Sequence, residues 1–255
     1  MKNLIGISGK KKSGKDTIGE IIKALCWYQV IENCIVDHIS DIEFVKKALN
    51  KEINLGTTYE IKKFAEKLKQ IVAILIGCNI EDLENEEFKN KELDEGWWYF
   101  KGRYENLIPY KKDSKRSGED LIKPTPRFLL QEIGTSCFRN IIHQNIWINS
   151  LFKEYNGSQK WIITDVRFKN EADLILDKSG ILIRVERPCP QCSQIGFHKM
   201  SCSIGKLREH ASETELDNYK NFTYIIENTD GIEELILKVK EILIKEGIIW
   251  QRTVF

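Results

Sequence analysis

The chain has 255 residues, of which 42% are hydrophobic, and its 39 lysines and arginines nearly balance 38 aspartates and glutamates. The balanced charge argues against a nucleic acid or a membrane surface as the partner of the whole protein, so any polyanion site must be local. The apolar run before Gly9 is too short for a signal peptide, no later segment reaches the length of a membrane span, and seven cysteines in a chain of this length do not indicate a disulfide framework. We therefore expect a cytoplasmic protein, built as one large α/β domain with a sizeable insertion.

The first predicted elements surround a phosphate-binding loop. An apolar strand ends at Gly9, and four residues later Gly14 and Lys15 complete the spacing of a P-loop. Residues 15–28 carry apolar side chains at the helical period and predict the helix behind the loop. Glycines let successive N–H groups face one anion, while the lysine and the helix N-terminus add positive charge. The alternative is a lysine-rich turn. The predicted ATP-binding residues here are Gly9, Ser13, Gly14, Lys15, Asp16 and Thr17.

A magnesium site is predicted beside this loop, but its ligands stay open. Asp16 stands where a P-loop normally has the Ser or Thr that binds magnesium, and the hydroxyl comes one residue later at Thr17. Either residue is a candidate ligand. Asp165 ends the apolar strand 161–165 and resembles a Walker B acid, which holds magnesium directly or through water. A helix-capping aspartate is the alternative for Asp165.

The middle of the chain changes in composition. Residues 34–36 are a candidate strand and 41–49 a candidate helix, then 59–65 alternate like a strand and 68–76 form an amphipathic helix that ends at Gly77. Residues 79–123 are rich in charged and aromatic side chains, and we interpret them as an insertion with a hairpin that turns at 101–102. Its rings either pack on the core or stack on a base, and packing is favoured.

The second half predicts a parallel sheet. Pro126 opens a long helix with Phe128, Leu129, Ile133 and Cys137 facing the core, and Arg127, Gln131 and Arg139 on another face. Strands follow at 161–165, 181–185 and 225–226, with helices at 172–176 and 232–245. Strands that alternate with helices are typical of a parallel α/β sheet with right-handed crossovers.

Several motifs resemble one enzyme family. They are the runs 63–69, 127–135 with Arg139 and Trp147, 165–171, Arg187-Pro188, 210–213 and Glu227-Asn228. In this order they resemble the deoxynucleoside monophosphate kinases of bacteriophages and large viruses. The resemblance covers the core and leaves out roughly 30–55, 85–123 and 189–208. It implies a P-loop fold of the NMP-kinase type that moves the γ-phosphoryl group of ATP onto a deoxynucleoside monophosphate with magnesium, in the cytoplasm of a host cell if the protein is viral.

The resemblance also implies roles for individual residues. Lys15 would hold the β and γ phosphates, and Asp165 and Arg167 would act at the transfer centre together with Arg139. Lys69, Arg127, Gln131 and Arg139 would face the acceptor nucleotide. Arg187 would contact ATP, and Asn228 lies in the loop where the fold places the donor adenine. A homodimer is compatible with the sequence.

Two other functions stay open. The Gly-Lys-Asp loop with Asp217-Asn218 and Glu227-Asn228 also resembles animal phosphomevalonate kinases, although the segment from Gln131 to Trp147 favours the phage enzymes. A P-loop ATPase or regulatory module that binds nucleic acid through a cysteine cluster is an alternative of another class.

That cysteine cluster predicts a further metal site. Cys189, Cys192, His198 and Cys202 have a spacing close to a zinc knuckle and would complete a structural Cys₃His zinc site. The alternative is that the cysteines pack as small apolar side chains. We interpret residues 188–208 as a lid-like or zinc-binding insertion.

Overall fold

The structure is a computed structural model that describes residues 2–32, 39–101, 107–111, 121–187 and 214–250. It divides into two compact units. Unit 1 comprises Met1–Phe64 and Leu151–Phe255, and unit 2 comprises Ala65–Ser150. The strand predicted at 34–36 and the cluster at 188–208 lie outside the described residues.

The described elements are as follows. The strands are β1 (Leu4–Gly9), β2 (Glu60–Lys62), β3 (Tyr99–Lys101), β4 (Leu107–Pro109), β5 (Leu121–Ile122), β6 (Trp161–Val166), β7 (Ile181–Glu186) and β8 (Tyr224–Glu227). The helices are α1 (Lys15–Ile31), α2 (Asp41–Leu49), α3 (Glu66–Ile76), α4 (Glu86–Asn90), α5 (Pro126–Gln131), α6 (Ile146–Phe152), α7 (Lys169–Asp177) and α8 (Ile232–Lys245), with a π-helix at Glu132–Ile142 and short 3₁₀ turns at Glu81–Glu84 and Glu95–Trp97.

Unit 1 is built on a five-stranded sheet in the order β2-β6-β1-β7-β8, and every neighbouring pair is parallel. The three central strands are buried along nearly their whole length, as expected for parallel strands with helices on both faces. Ile18 and Ile22 of α1 and Val239 of α8 join Ile5 and Ile7 of β1 in one core cluster. The predicted α/β parallel fold is confirmed.

The strand predicted at 59–65 is shorter than expected. Only Glu60–Lys62 pairs with β6. Beyond that point the main-chain N–H of Phe64 donates to a carboxylate oxygen of Asp165, at 2.8 Å, and so leaves the sheet ladder. The main chain of β6 pairs with β2 up to Lys62, and beyond that point the Asp165 side chain of β6 takes the next N–H.

Unit 2 contains the predicted insertion. Strand β3 pairs with β4 and β5 in an antiparallel sheet, as the predicted hairpin requires, but β3 extends to Lys101, where the turn was predicted, and residues 102–106 lie outside the described residues. Phe100 is buried, the rings of Trp98 and Tyr110 meet edge to face at 5.5 Å, and Lys123 lies 4.3 Å from the Trp98 ring centre. These aromatic side chains pack within the insertion's own sheet.

The long helix after Pro126 departs from its prediction. Thr125 caps it by accepting the N–H of Phe128 at 3.2 Å, but from Glu132 it continues as a π-helix. The i→i+5 bonding of a π-helix takes more residues per turn than the period we assumed. Cys137, expected in the core, is therefore exposed, whereas Arg139, expected on an accessible face, is 6% exposed.

No helix among the described ranges combines the length and the apolar character needed to cross a membrane.

Candidate active site

The loop between β1 and α1 has the backbone of a phosphate cradle. The N–H of Ser13 closes a turn onto the carbonyl of Lys10 at 3.1 Å, and Gly14 precedes the helix with φ of 101°. A Cβ on Gly14 would lie 2.6 Å from the side-chain nitrogen of Asn228, and one on Gly9 would lie 2.9 Å from the carbonyl oxygen of Val185. Gly9 is required by space, because the nearby carbonyl is main chain, and Gly14 is required by its left-handed conformation.

A buried hydroxyl inside this cradle fits an anion. Ser13 is 2% exposed, and its Oγ has no hydrogen-bond partner among the described residues. A buried hydroxyl without a partner costs free energy, which a phosphate oxygen would recover. Lys15 begins α1 beside it, and its Nζ lies 3.4 Å from the carbonyl of Lys10. The cradle, the hydroxyl and the ammonium together favour phosphate.

Asp16 is held in place by strand β6 and by the residue that follows β2. Thr164 of β6 donates to Asp16 Oδ1 at 2.9 Å, and the ammonium of Lys63 lies 3.3 Å from the same oxygen. Loss of hydration raises the pKa of this carboxyl, but Lys63, the Thr164 hydroxyl and Lys15 together lower it further, so the net pKa of Asp16 lies below its usual value. An ionised, oriented carboxylate fits magnesium, which prefers oxygen ligands.

Asp165 lies on β6, the strand beside β1, and is buried. Its Oδ1 accepts the N–H of Phe64, so part of its role is to hold the chain after β2. Thr17 is half-buried one residue after Asp16. Strand β6 thus places Asp165 directly after Thr164, the residue that orients Asp16.

Arg167 and Arg187 each follow a strand, but they differ in burial and in how their backbone is held. Arg167 is half-buried after β6, and its N–H donates to the carboxylate of Glu171 at 2.9 Å, as does the N–H of Phe168 at 3.1 Å. Glu171 is 2% exposed, so a buried carboxylate holds the backbone at Arg167 in place. Arg187 is exposed directly after β7.

Asn228 contacts the loop itself. It follows β8, its N–H donates to the carbonyl of Glu186 at 2.8 Å, and its side chain donates to the carbonyl of Ser13 at 2.9 Å. This places the predicted ATP-binding residue against the phosphate cradle, where it supports the backbone on which Ser13 lies.

Unit 2 carries the predicted acceptor-binding residues. Arg127 donates from Nη2 to Glu86 at 2.6 Å and from Nε to Asn90 at 2.9 Å, both on α4. Lys69 on α3 pairs with Glu84 at 2.5 Å. These two cations are therefore already paired with carboxylates of their own unit.

Arg139 and Gln131 lie on one continuous helical run, Gln131 at the end of α5 and Arg139 on the π-helix. Gln131 is half-buried. The indole N–H of Trp147 donates to the carbonyl of Gly134 at 2.9 Å, and a Cβ on Gly134 would lie 2.6 Å from a methyl carbon of Leu68. The helix thus packs closely on α3.

The structure gathers the predicted residues into two groups. Unit 1 holds the phosphate loop, Asp16, Thr17, Asp165, Arg167, Arg187 and Asn228, and unit 2 holds Lys69, Arg127, Gln131 and Arg139. The predicted zinc ligands Cys189, Cys192, His198 and Cys202 lie outside the described residues. Within the described part of the chain, no three Cys, His, Asp or Glu residues assemble into a metal site.

Sequence reasoning missed several residues around the loop. They are Lys63, Thr164 and Arg184, with Asp217 assigned only to a family motif. Arg184 donates to Ser8 of β1 and to Asp217. Arg184 and Thr164 each interrupt an otherwise apolar buried strand, and a polar side chain at such a position needs a partner. A polar residue inside an apolar strand was therefore the sequence signal that could have identified Arg184 and Thr164.

Two relatives match the chain over nearly its whole length. A protein of Acanthamoeba polyphaga mimivirus, named provisionally as a deoxynucleotide monophosphate kinase, is 26% identical over 238 residues, covering 92% of this chain and 93% of the relative. The deoxynucleoside-5'-monophosphate kinase of Escherichia phage T5 is 25% identical over 253 residues, covering 94% and 95%. No protein-family model matches the chain. The resemblance to the deoxynucleoside monophosphate kinases of phages and large viruses is confirmed by both.

Proposed function

We propose that this protein transfers the γ-phosphoryl group of ATP to a deoxynucleoside monophosphate and forms the diphosphate, for nucleotide supply. The observation that carries the proposal is the phosphate cradle, in which the buried Ser13 hydroxyl without a described partner lies beside Lys15 and the start of α1. The names of both relatives support a phosphotransferase with this acceptor.

On the donor side, Lys15 and the N–H groups of the loop would bind the β and γ phosphates. Magnesium bound with ATP would supply positive charge that offsets the negative charge of the phosphates during transfer. Asp16 has better support as its ligand than Thr17, because Thr164 and Lys63 fix its carboxylate in the ionised form. Asp165 would hold the ion directly or through water. One or two protein carboxylates suffice, since magnesium usually keeps several waters.

On the acceptor side, no general base is required. The phosphate monoester of a nucleotide is already ionised near neutral pH, so the reaction depends on alignment and charge neutralisation. Arg127, Lys69 and Arg139, with Gln131, would bind the monophosphate, and the planar guanidinium of an arginine can bind two phosphate oxygens at once. Arg167 would stabilise the transferring group, with Arg187 on the ATP phosphates.

A coupled assay of ADP formation across a panel of acceptors tests the proposal. The panel contains the four deoxynucleoside monophosphates, ribonucleoside monophosphates, phosphomevalonate and single-stranded polynucleotide, with Lys15→Ala as the blank. We expect turnover that depends on a deoxynucleoside monophosphate and yields its diphosphate. Turnover with phosphomevalonate alone, or ADP release stimulated only by polynucleotide, would overturn the assignment.

A further inference from the structure

A buried arginine connects two strands of unit 1 to a distant carboxylate. Arg184 of β7 is 9% exposed, and its Nη1 donates to Ser8 Oγ of β1 at 3.1 Å. Its Nη2 donates to Asp217 Oδ1 at 3.1 Å, and the guanidinium lies 5.6 Å from the ring centre of Phe222. Because a buried charge needs a partner, Arg184 and Asp217 fix each other's positions.

The second oxygen of the same carboxylate reaches the phosphate-binding loop. Asp217 Oδ2 accepts from Lys10 Nζ at 2.7 Å. Lys10 is the first residue after β1, and its carbonyl accepts both the N–H of Ser13 at 3.1 Å and the ammonium of Lys15 at 3.4 Å. Lys10 is therefore the point at which the turn of the loop, the resting position of Lys15 and the carboxylate of Asp217 meet.

The segment that carries Asp217 is itself well anchored. Leu216 is 4% exposed, Glu215 accepts the N–H of Lys169 at 3.2 Å, and the hydroxyl of Tyr219 donates to Asp173 at 2.7 Å. These contacts attach residues 214–219 to α7, so Asp217 is presented to Lys10 from a fixed support.

We infer that Asp217, oriented by Arg184, is a positioning residue that holds Lys10 and with it the backbone of the phosphate-binding loop. The inference rests on the proposed function, since it assigns Asp217 to ATP binding. A preformed loop loses less conformational freedom when the phosphates bind, so the contact raises ATP affinity without touching the nucleotide.

If Lys10–Asp217 were only an exposed surface ion pair, its loss would not change the KM for ATP. Lys10 and Asp217 side chains are 43% and 37% exposed, and exposed pairs contribute little to stability. Lys46 and Glu233 in the same unit provide the matched control, because their side chains are 45% and 64% exposed and 2.8 Å apart without a buried third partner. If Lys10–Asp217 has no positioning role, substitutions in the two pairs will have the same small effect on the KM for ATP.

The test is a double-mutant cycle on the KM for ATP. We expect Lys10→Met and Asp217→Asn each to raise this KM about tenfold and the double variant to be no worse than either single change, since all three lose the same Lys10–Asp217 contact. The KM for the monophosphate should stay within about twofold, which separates positioning of the loop from general destabilisation. Lys46→Met should leave both values unchanged. Single effects that multiply in the double variant, or equal changes in both KM values, would overturn the inference.

A second measurement separates this inference from the proposed function. In nucleotide-free protein, amide hydrogen exchange at residues 10–15 should be faster in Asp217→Asn than in wild type or Lys46→Met, because the loop has lost its support. This result requires no activity. An unchanged exchange rate would overturn the inference even if the enzyme is a kinase, and a failure of wild type to phosphorylate any acceptor would overturn the proposed function alone.

Discussion

The two units hold the predicted site carboxylates and cations on different kinds of element. In unit 1, Asp16 and Asp165 have partners on strands or strand ends of the parallel sheet, so the main chain fixes where each carboxylate lies. In unit 2, Lys69 and Arg127 lie on helices and pair with glutamates of neighbouring short helices. In unit 1 Asp165 is buried, although Asp16 is largely exposed. In unit 2 the two cations are partly buried and their glutamate partners are exposed.

This difference indicates which charges can change partners. An ion pair with an exposed member contributes little net free energy, so if Arg127 binds the acceptor as proposed, a nucleotide phosphate would replace Glu86 on it at low cost. Glu86 is 43% exposed in its side chain. Asp165 of unit 1 has no such freedom, because it is buried and accepts the main-chain N–H of Phe64. We therefore expect unit 1 to be preorganised for ATP and unit 2 to exchange its own carboxylates for the acceptor.

The largest effect should come from Lys15. In the proposed function Lys15→Ala removes a charge that would act on the transferring phosphoryl group, and we expect kcat to fall by about 10³-fold while the circular dichroism spectrum stays unchanged. Lys12→Ala is the matched control, because Lys12 is exposed in the same loop. Equal activity of both variants would contradict the proposal that the loop of unit 1 binds the phosphates of ATP.

Arg167→Ala should mainly lower kcat, by about 10²-fold, because the contact proposed for Arg167 would strengthen in the transition state. Glu171 fixes the backbone beneath Arg167, so Arg167→Lys should restore part of the rate without changing either KM. A variant in which KM for ATP rises and kcat stays normal would place Arg167 in ground-state binding instead.

Arg127→Ala should raise the KM for the monophosphate about tenfold to a hundredfold and leave the KM for ATP unchanged, since a charged hydrogen bond to the acceptor is lost. Arg139→Ala should act in the same direction, although its burial adds a loss of stability. Glu86→Gln distinguishes the roles of the Arg127 pair. If Arg127 only supports α4, Glu86→Gln and Arg127→Ala will lower the melting temperature alike and neither will change a KM.

The smallest effect concerns pH. The pKa of Asp16 is lowered in the folded protein, so its ionised form adds stability that is fully present above the unfolded value of 3.8 and is lost as the pH falls through the lower folded pKa. Because the side chain is 62% exposed, the contribution should be below about 1 kcal/mol. Asp16→Asn should therefore melt slightly below wild type at pH 7, and this gap should close in strong acid. A gap that widens in acid would contradict the direction.

The sequence predicted the parts of the fold that follow one local period. Strands β1, β6 and β7 are largely apolar runs, and Gly77 ends α3 with φ of 67°, as its position after an amphipathic run indicated. The π-helix escaped prediction because its wider turns rotate Cys137 and Arg139 away from the faces that a 3.6-residue period assigns.

The candidate site divides in the same way. The cradle from Gly9 to Lys15 could be predicted because its chemistry is contiguous in sequence. The pairing of Arg184 with Asp217, and of Asp16 with Thr164, depends on strand order, which no local pattern encodes. Asn228 was predicted at the ATP site, but its contact with the Ser13 carbonyl emerges only when β8 lies beside β7.

The order of strands in the sheet has a consequence for how the chain folds during synthesis. Strand β1 is made first, yet its two neighbours are distant in sequence, since Ile5 lies opposite Ile162 and Ile181. The centre of unit 1 must therefore wait for most of the polypeptide to emerge, whereas unit 2 is one continuous stretch with shorter loops to close. Pulse-labelling of refolding chains should find amides of α3 and α5 protected before those of β1, with the apolar first strand exposed to aggregation in the interval.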